Sequence, residues 1–159
     1  MRLWVETEAV DTAGRKVKAK LSEMTKDISR QVVSRATRAV NELRNAELDV
    51  LKGKRSGHIY RKYPYKTHYQ ASKAGEPPAR RTGALRLHWN GKVETRPAGS
   101  GSTEVTAILE SGEEYAAPLE YGSTYSKRAH YTMAPRPFHD RIVEKALPNI
   151  LRIYEASYE

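Results

Sequence analysis

The spacing of apolar residues changes along this chain, and each change marks an expected element. Residues 1–8 alternate, with Met1, Leu3, Val5 and Thr7 on one side and Arg2, Trp4, Glu6 and Glu8 on the other. That is the period of a half-buried strand. Asp11 or Thr12 then stands where a side-chain oxygen caps a helix. From Arg15 to Leu51 the period becomes helical: Val17, Leu21, Met24, Ile28, Val32, Ala36, Val40 and Leu43 step by three or four. Lys16, Lys18, Lys20, Lys26, Arg30, Arg35 and Arg38 fill much of the opposite face, and no proline interrupts. Such a helix is on the order of 50 Å long, long enough for part of it to pack on a neighbouring subunit. Gly53 is its expected stop.

Periodicity then fades. Residues 52–82 read as an irregular basic loop, rich in turn residues. Leu85–Trp89 reads as a strand or a short helical turn. Lys92–Arg96 and Thr103–Glu110 read as strands joined by a flexible PAGSGS loop. Val105, Ala107 and Leu109 alternate with polar neighbours, although Ile108 breaks the polar face. Leu119 belongs to a helical turn or a strand end. The last helix is expected from Pro137, whose fixed φ suits a first helical position. Its stripe is Phe138, Ile142, Ala146, Ile150 and Tyr154, and Pro148 is expected to kink or divide it. The reading is a single α+β domain over 1–159: an antiparallel β-sheet packed by a long N-terminal helix and a C-terminal helix.

Composition sharpens this picture. At 159 residues and 38% apolar, the chain supports one modest core, which favours burial against a partner. There is no cysteine, so disulfides and thiolate metal sites are excluded. The opening MRLWVETEAV carries acids and lacks the apolar run of a signal peptide. No run approaches the ~18 apolar residues of a membrane span. The net charge of +9 favours an anionic partner: nucleic acid, an acidic protein surface or a membrane face.

The charge concentrates in one stretch. Lys52, Lys54, Arg55, Arg61, Lys62, Lys66 and Lys73 occur with no acid between Asp49 and Glu76, and Tyr60, Tyr63, Tyr65 and Tyr69 are interleaved. Cations neutralise phosphates and rings stack on bases, so contact with DNA is one reading. A solvated loop whose tyrosines pack at a protein interface is the other.

Reactive constellations are missing. The five histidines, His58, His68, His88, His130 and His139, show neither HxxxH nor HExxH spacing. Glu110, Glu113, Glu114 and Glu120 offer carboxylates, but Glu113 and Glu114 sit in a turn-like SGEE segment. No GxSxG elbow is present, and GSGS lacks the ending of a phosphate loop. No catalytic, cofactor-binding or metal residue is therefore assigned, and the chain reads as a non-enzyme.

Two segments instead carry positioning devices. AGEPPARRTGALR (Ala74–Arg86) combines stiff prolines with a Thr-Gly turn. Tyr115–Phe138 opens YAAPLEYG and closes MAPRPF. Gly122 permits a turn that other residues resist, and the prolines around Arg136 hold it extended. A fixed Glu120 near a fixed Arg136 is expected to pair within or between subunits. On local physics, two well-made turns in a globular domain account for these segments equally well.

These segments also resemble the signatures of the gene-product-ten-like neck family of long-tailed bacteriophages, the head–tail joining or tail-completion proteins. In the first block Gly75, Glu76, Pro77, Pro78, Thr82, Gly83, Leu85 and Arg86 match. In the second the matches are Tyr115, Ala116, Glu120, Tyr121, Gly122, Met133, Ala134, Arg136, Pro137 and Phe138. The order of elements fits over most of the chain. Departures are a longer polar insert at Thr124–Tyr131, Gly122-Ser123-Thr124 in place of Gly-Thr, and an extended basic stretch. The resemblance implies a structural protein of a phage or prophage virion, assembled in the bacterial cytoplasm. It implies a homo-oligomeric ring, sixfold like the tail tube, around the DNA path. Its partners would be a head-closure protein and a tail terminator or tail tube, with no cofactor and no membrane. A DNA-binding module using the basic loop (Lys52, Lys54, Arg55, Arg61, Lys62, Lys66) and the basic helix face is the alternative.

Overall fold

The computed structural model describes residues 7–98, 102–123 and 132–157, with side chains from Gly14 onward. Its first element is a single helix, α1 (Thr7–Lys52), of 46 residues. It starts earlier than the alternating pattern predicts. Thr7 and Glu8 are already helical, and Asp11 and Thr12 lie inside the helix, not at its cap. Ala9 and Ala13 favour helix, and no proline resists it, so a brief alternation is overridden. The rest of the expected strand, residues 1–6, lies outside the described residues. Gly53 follows the last helical residue, as expected.

Two β-hairpins replace the single sheet. β1 (Ile59–Arg61) pairs antiparallel with β2 (His68–Gln70), inside the region read as irregular. After a one-turn helix α2 (Ala84–Leu87), β3 (Trp89–Ala98) pairs antiparallel with β4 (Ser102–Ser111), in register from Trp89↔Ser111 to Ala98↔Ser102. α3 (Ala116–Tyr121) and α4 (His139–Glu155) complete the chain. The architecture is α+β, with two small antiparallel sheets. β3 and β4 lie against α1, whereas the β1–β2 hairpin packs extensively on no other element.

α4 is antiparallel to α1. Lys145 Nζ meets Asp49 Oδ2 at 3.2 Å, Asn149 donates to Glu42, and the carbonyls of Tyr154, Ala156 and Ser157 accept from Arg35. Between the helices lies the core: Ala46, Leu51, Phe138, Ile142 and Ala146, flanked by Leu43, Val50, Leu85, Trp89 and Leu119. Alanines on both helices permit close approach of the backbones. Arg35, placed by the sequence among the basic residues opposite the apolar stripe, is 6% exposed, and its guanidinium caps the C-terminal end of α4.

α4 starts later than expected and is not divided at its proline. It begins at His139, with Phe138 as the cap residue, so Pro137 stands outside it. Pro148 does not divide it; one helix runs through to Glu155. Pro148 lies on the exposed side, so water can reach the Glu144 carbonyl that loses its donor.

α1 and β3 approach so closely at Gly91 that a Cβ there would lie 2.4 Å from Val40 Cγ1. Valine is stiff in a helix and cannot swing aside. We expect Gly91→Ala to destabilise the chain by roughly 1–3 kcal/mol through overpacking. Adding Val40→Ala should restore most of that loss in denaturant unfolding. Strict additivity of the two losses would show that the two residues do not clash.

Candidate functional site

The two loop segments singled out from the sequence meet at one place, where α1 ends and α4 begins. Gly75 donates its N–H to the Pro135 carbonyl at 2.9 Å, and its own carbonyl accepts from Arg141 Nη2 at 2.9 Å. Gly75 has φ +79, a conformation that glycine adopts without a Cβ penalty. The Arg136 N–H donates to the Leu119 carbonyl at 2.8 Å, joining the end of the second segment to α3. Gly122 (φ +81) turns the chain out of α3, and a Cβ there would lie 2.7 Å from the Met133 carbonyl oxygen. Ser123 and Met133 exchange backbone hydrogen bonds beside it, closing the loop whose insert, 124–131, lies outside the described residues.

Three charged side chains satisfy backbone groups at this joint. Helix ends leave orphan N–H and C=O groups that need partners when partly buried. Glu120 Oε2 accepts from the N–H groups of Phe138 at 2.8 Å and His139 at 3.1 Å, capping α4 across a long loop. Within the chain no ion pair joins Glu120 to Arg136 among the described residues, so the expected pair is not an intrachain one. Arg55 donates to the carbonyls of Val50 and Gly53 at the end of α1, and through Nε and Nη2 to Pro78 at 3.1 and 3.0 Å. It thereby caps α1 and anchors the first segment. The sequence places Arg55 among the candidate DNA contacts; in the fold its guanidinium is engaged inside the chain.

Glu76 is the third. Its carboxylate accepts from the Ser56 hydroxyl, the Ser56 N–H at 3.1 Å and the Lys73 N–H at 3.0 Å. It ties together the two strands of chain that enter and leave the β1–β2 hairpin. These hydrogen bonds, led by the Ser56 hydroxyl, hold its carboxyl down at about 2.

Glu47 behaves in the opposite way. It is fully buried on α1, paired with Arg44 and near Arg86 of the first segment; its Oε1 and the Arg86 Nε have no protein partner. Burial pushes its carboxyl up to about 7, against the pull of Arg44 and Arg86. Sequence reading missed it. The signal was a glutamate in helical register with Leu43, Val50 and Leu51 on the core face.

Beside the joint is a cavity of about 290 Å³. Leu51, Leu85 and Leu119 form its apolar wall, while Arg80, Arg81 and Arg86 supply positive charge. Thr82 Oγ1 accepts from the Ala84 N–H at 3.3 Å, and Gly83 (φ +95) starts α2. Pro77 and Pro78 are buried, and Phe138 is buried edge-on against Trp89, with ring centroids 6.1 Å apart. Tyr121 stays exposed.

The other basic candidates lie on or near the hairpin. Lys52, Lys54, Arg61 and Lys66 are exposed and Lys62 half-buried. Tyr60 stacks on Tyr69 at 5.7 Å, Lys62 Nζ lies 5.9 Å from the Tyr65 ring centre, and Tyr63 is 88% exposed. Among the described residues no group of three or more His, Asp or Glu gathers as metal ligands do, and no helix is long and apolar enough to cross a membrane. No family model, curated protein or solved structure matches this chain.

Glu120→Ala should cost about 0.5–2 kcal/mol of unfolding free energy, the usual worth of a helix N-cap. A loss below ~0.2 kcal/mol would show that the carboxylate does not cap α4. The two perturbed acids carry opposite pH signatures. Glu76 is depressed, so its contribution is complete above its ordinary value of 4.5 and is lost as pH falls toward 2. Glu47 is raised, so stability is lost as pH rises from 4.5 through about 7. Stability measured from pH 2 to 8 should therefore show both slopes. Glu76→Gln should flatten only the acid one, and Glu47→Gln only the neutral one.

Proposed function

We propose that this chain is a structural assembly protein of a phage or prophage head–tail joint, a neck or tail-completion protein. Copies form a ring around the DNA path and connect a head-closure protein to a tail terminator or tail tube. The observation that carries the reading is the meeting of the two resembling segments in one hydrogen-bonded joint. Their glycines, prolines and charged residues hold backbone in place there. The exposed Gly14–Ile28 stretch of α1, the arginine-edged cavity and the exposed hairpin are surfaces suited to neighbours in an assembly. The protein would act by position, without making or breaking a bond, and would be found in the virion after assembly in the bacterial cytoplasm.

The test is its location. Immunolabelling of purified particles should place the protein at the head–tail junction, and particles made without it should separate into heads and tails. Complete, infectious particles that lack the protein would overturn the reading.

A second reading, a DNA-binding module, is favoured by the hairpin, where exposed tyrosines lie among cations. Neutralising Lys52, Lys54, Arg61, Lys62 and Lys66, with Arg55 left intact, should spare folding. If the hairpin faces phosphates, affinity for random duplex DNA should fall, and the log–log salt slope should shrink by about 0.9 for each phosphate no longer neutralised. An unchanged slope would remove the hairpin from any role on DNA.

A further inference from the structure

Two apolar stripes lie uncovered on this chain. Every residue of α1 from Gly14 to Ile28 is exposed, and within that stretch Val17, Leu21, Met24 and Ile28 form a seam with alternating steps of four and three. That is the spacing of a helix-packing seam. On α4, Val143, Leu147, Leu151 and Tyr154 form a second exposed stripe, while Ile142, Ala146 and Ile153 face inward. α4 cannot cover the α1 seam within its own chain. It packs through its other face, and its last carbonyls sit on Arg35, short of the exposed Gly14–Ile28 stretch.

We infer that the α1 seam of one copy docks on the outer α4 stripe of the next copy. The two stripes match in length, each spanning about 16 Å at 1.5 Å per residue. They also match in charge. Lys18 and Lys20 lie three or four residues from Leu21, Val17 and Met24, and so border the seam; Asp27, at the same spacing from Met24, is already paired with Arg30. Glu144 and Glu155 stand at the same spacing from Leu147 and Leu151, and so border the α4 stripe. None of these four charged residues forms an ion pair or side-chain hydrogen bond among the described residues. A seam pairing with its own copy would instead set lysines against lysines.

The contact is heterologous: a different face of each copy meets the next, so a pair still has one free seam and one free stripe. Such contacts close into rings or extend into filaments, and do not stop at dimers. The inference deepens the neck reading by naming the faces through which copies meet. It depends on that reading only for a closed ring as the end state. A crosslink between copies tests the contact, whereas location in particles tests the role, so either can fail alone.

The absence of cysteine makes the test clean. Leu21→Cys and Leu147→Cys replace exposed side chains and leave the core intact. Under mild oxidation a mixture of the two single variants should form a disulfide-linked dimer at least ~10-fold faster than either variant alone. The variant carrying both should give a ladder of dimer, trimer and higher species. Lys18→Glu with Lys20→Glu should reduce the ladder ~10-fold, and adding Glu144→Lys with Glu155→Lys should restore it. Leu21→Cys alone crosslinking as fast as the mixture would show the seam pairing with itself. That result, a ladder absent at millimolar protein, or charge reversal without restoration would overturn the inference.

Discussion

A long helix has to end inside this protein and another has to begin beside it, and neither end may leave its backbone groups unsatisfied. Everything at the joint follows from that constraint. Arg55 serves the end of α1 from just past it while also holding the Pro78 carbonyl, and Glu120 serves the start of α4 from a distant segment. Arg35 does the same at the far end of α4. Each uses a full charge where the helix terminus presents the opposite partial charge, so dipole and hydrogen bond act together. Because Arg55 also binds the Pro78 carbonyl and Glu120 spans the second segment to reach Phe138, satisfying the helices also fixes the loops. The apolar core beneath, from Ala46 and Leu51 to Phe138 and Ile142, then keeps the two helix ends together.

The division of the molecule into a tied region and bare regions has a functional sense. The joint is densely hydrogen-bonded beside the core of Leu51 and Phe138, whereas the Gly14–Ile28 stretch of α1, the outer face of α4 and the β1–β2 hairpin carry exposed apolar, aromatic and basic side chains. Such an arrangement suits a component that keeps its own shape and offers several faces to neighbours. Glu76 adds a link between the two kinds of region, since it fastens the base of the hairpin to the first loop segment. The position of the hairpin is thereby set by the same loop that shapes the cavity.

What the sequence revealed depended on the range of each signal. α1 and α4 were legible because an apolar period of three and four persists over many residues, and the β3–β4 hairpin because Val105, Ala107 and Leu109 alternate. β1 and β2 were not, since Ile-Tyr-Arg and His-Tyr-Gln are three residues each and bury no consistent face. The two loop segments were legible as positioning devices from their glycines and prolines. The cap at α4 was not, because Glu120 and Phe138 are 18 residues apart and meet only through the fold. Arg35 read as one of the basic residues opposite the apolar stripe, and Arg55 as part of a basic loop, for the same reason: a sequence does not show where a cluster of carbonyls will stand. Pro137 pointed to the right neighbourhood but the wrong first residue, because the Glu120 carboxylate takes the N–H groups that define where α4 starts.

The central claim is that the joint is one rigid unit, held by charged side chains that reach across the fold. Residue-resolved amide hydrogen exchange on the isolated protein tests it most directly. The account expects the Gly75, Arg136, Phe138 and His139 amides to be protected to within ~10-fold of the buried α4 amides, as members of one cooperative unit. Exchange of these four at the rate of exposed loop amides, while α4 stays protected, would contradict it.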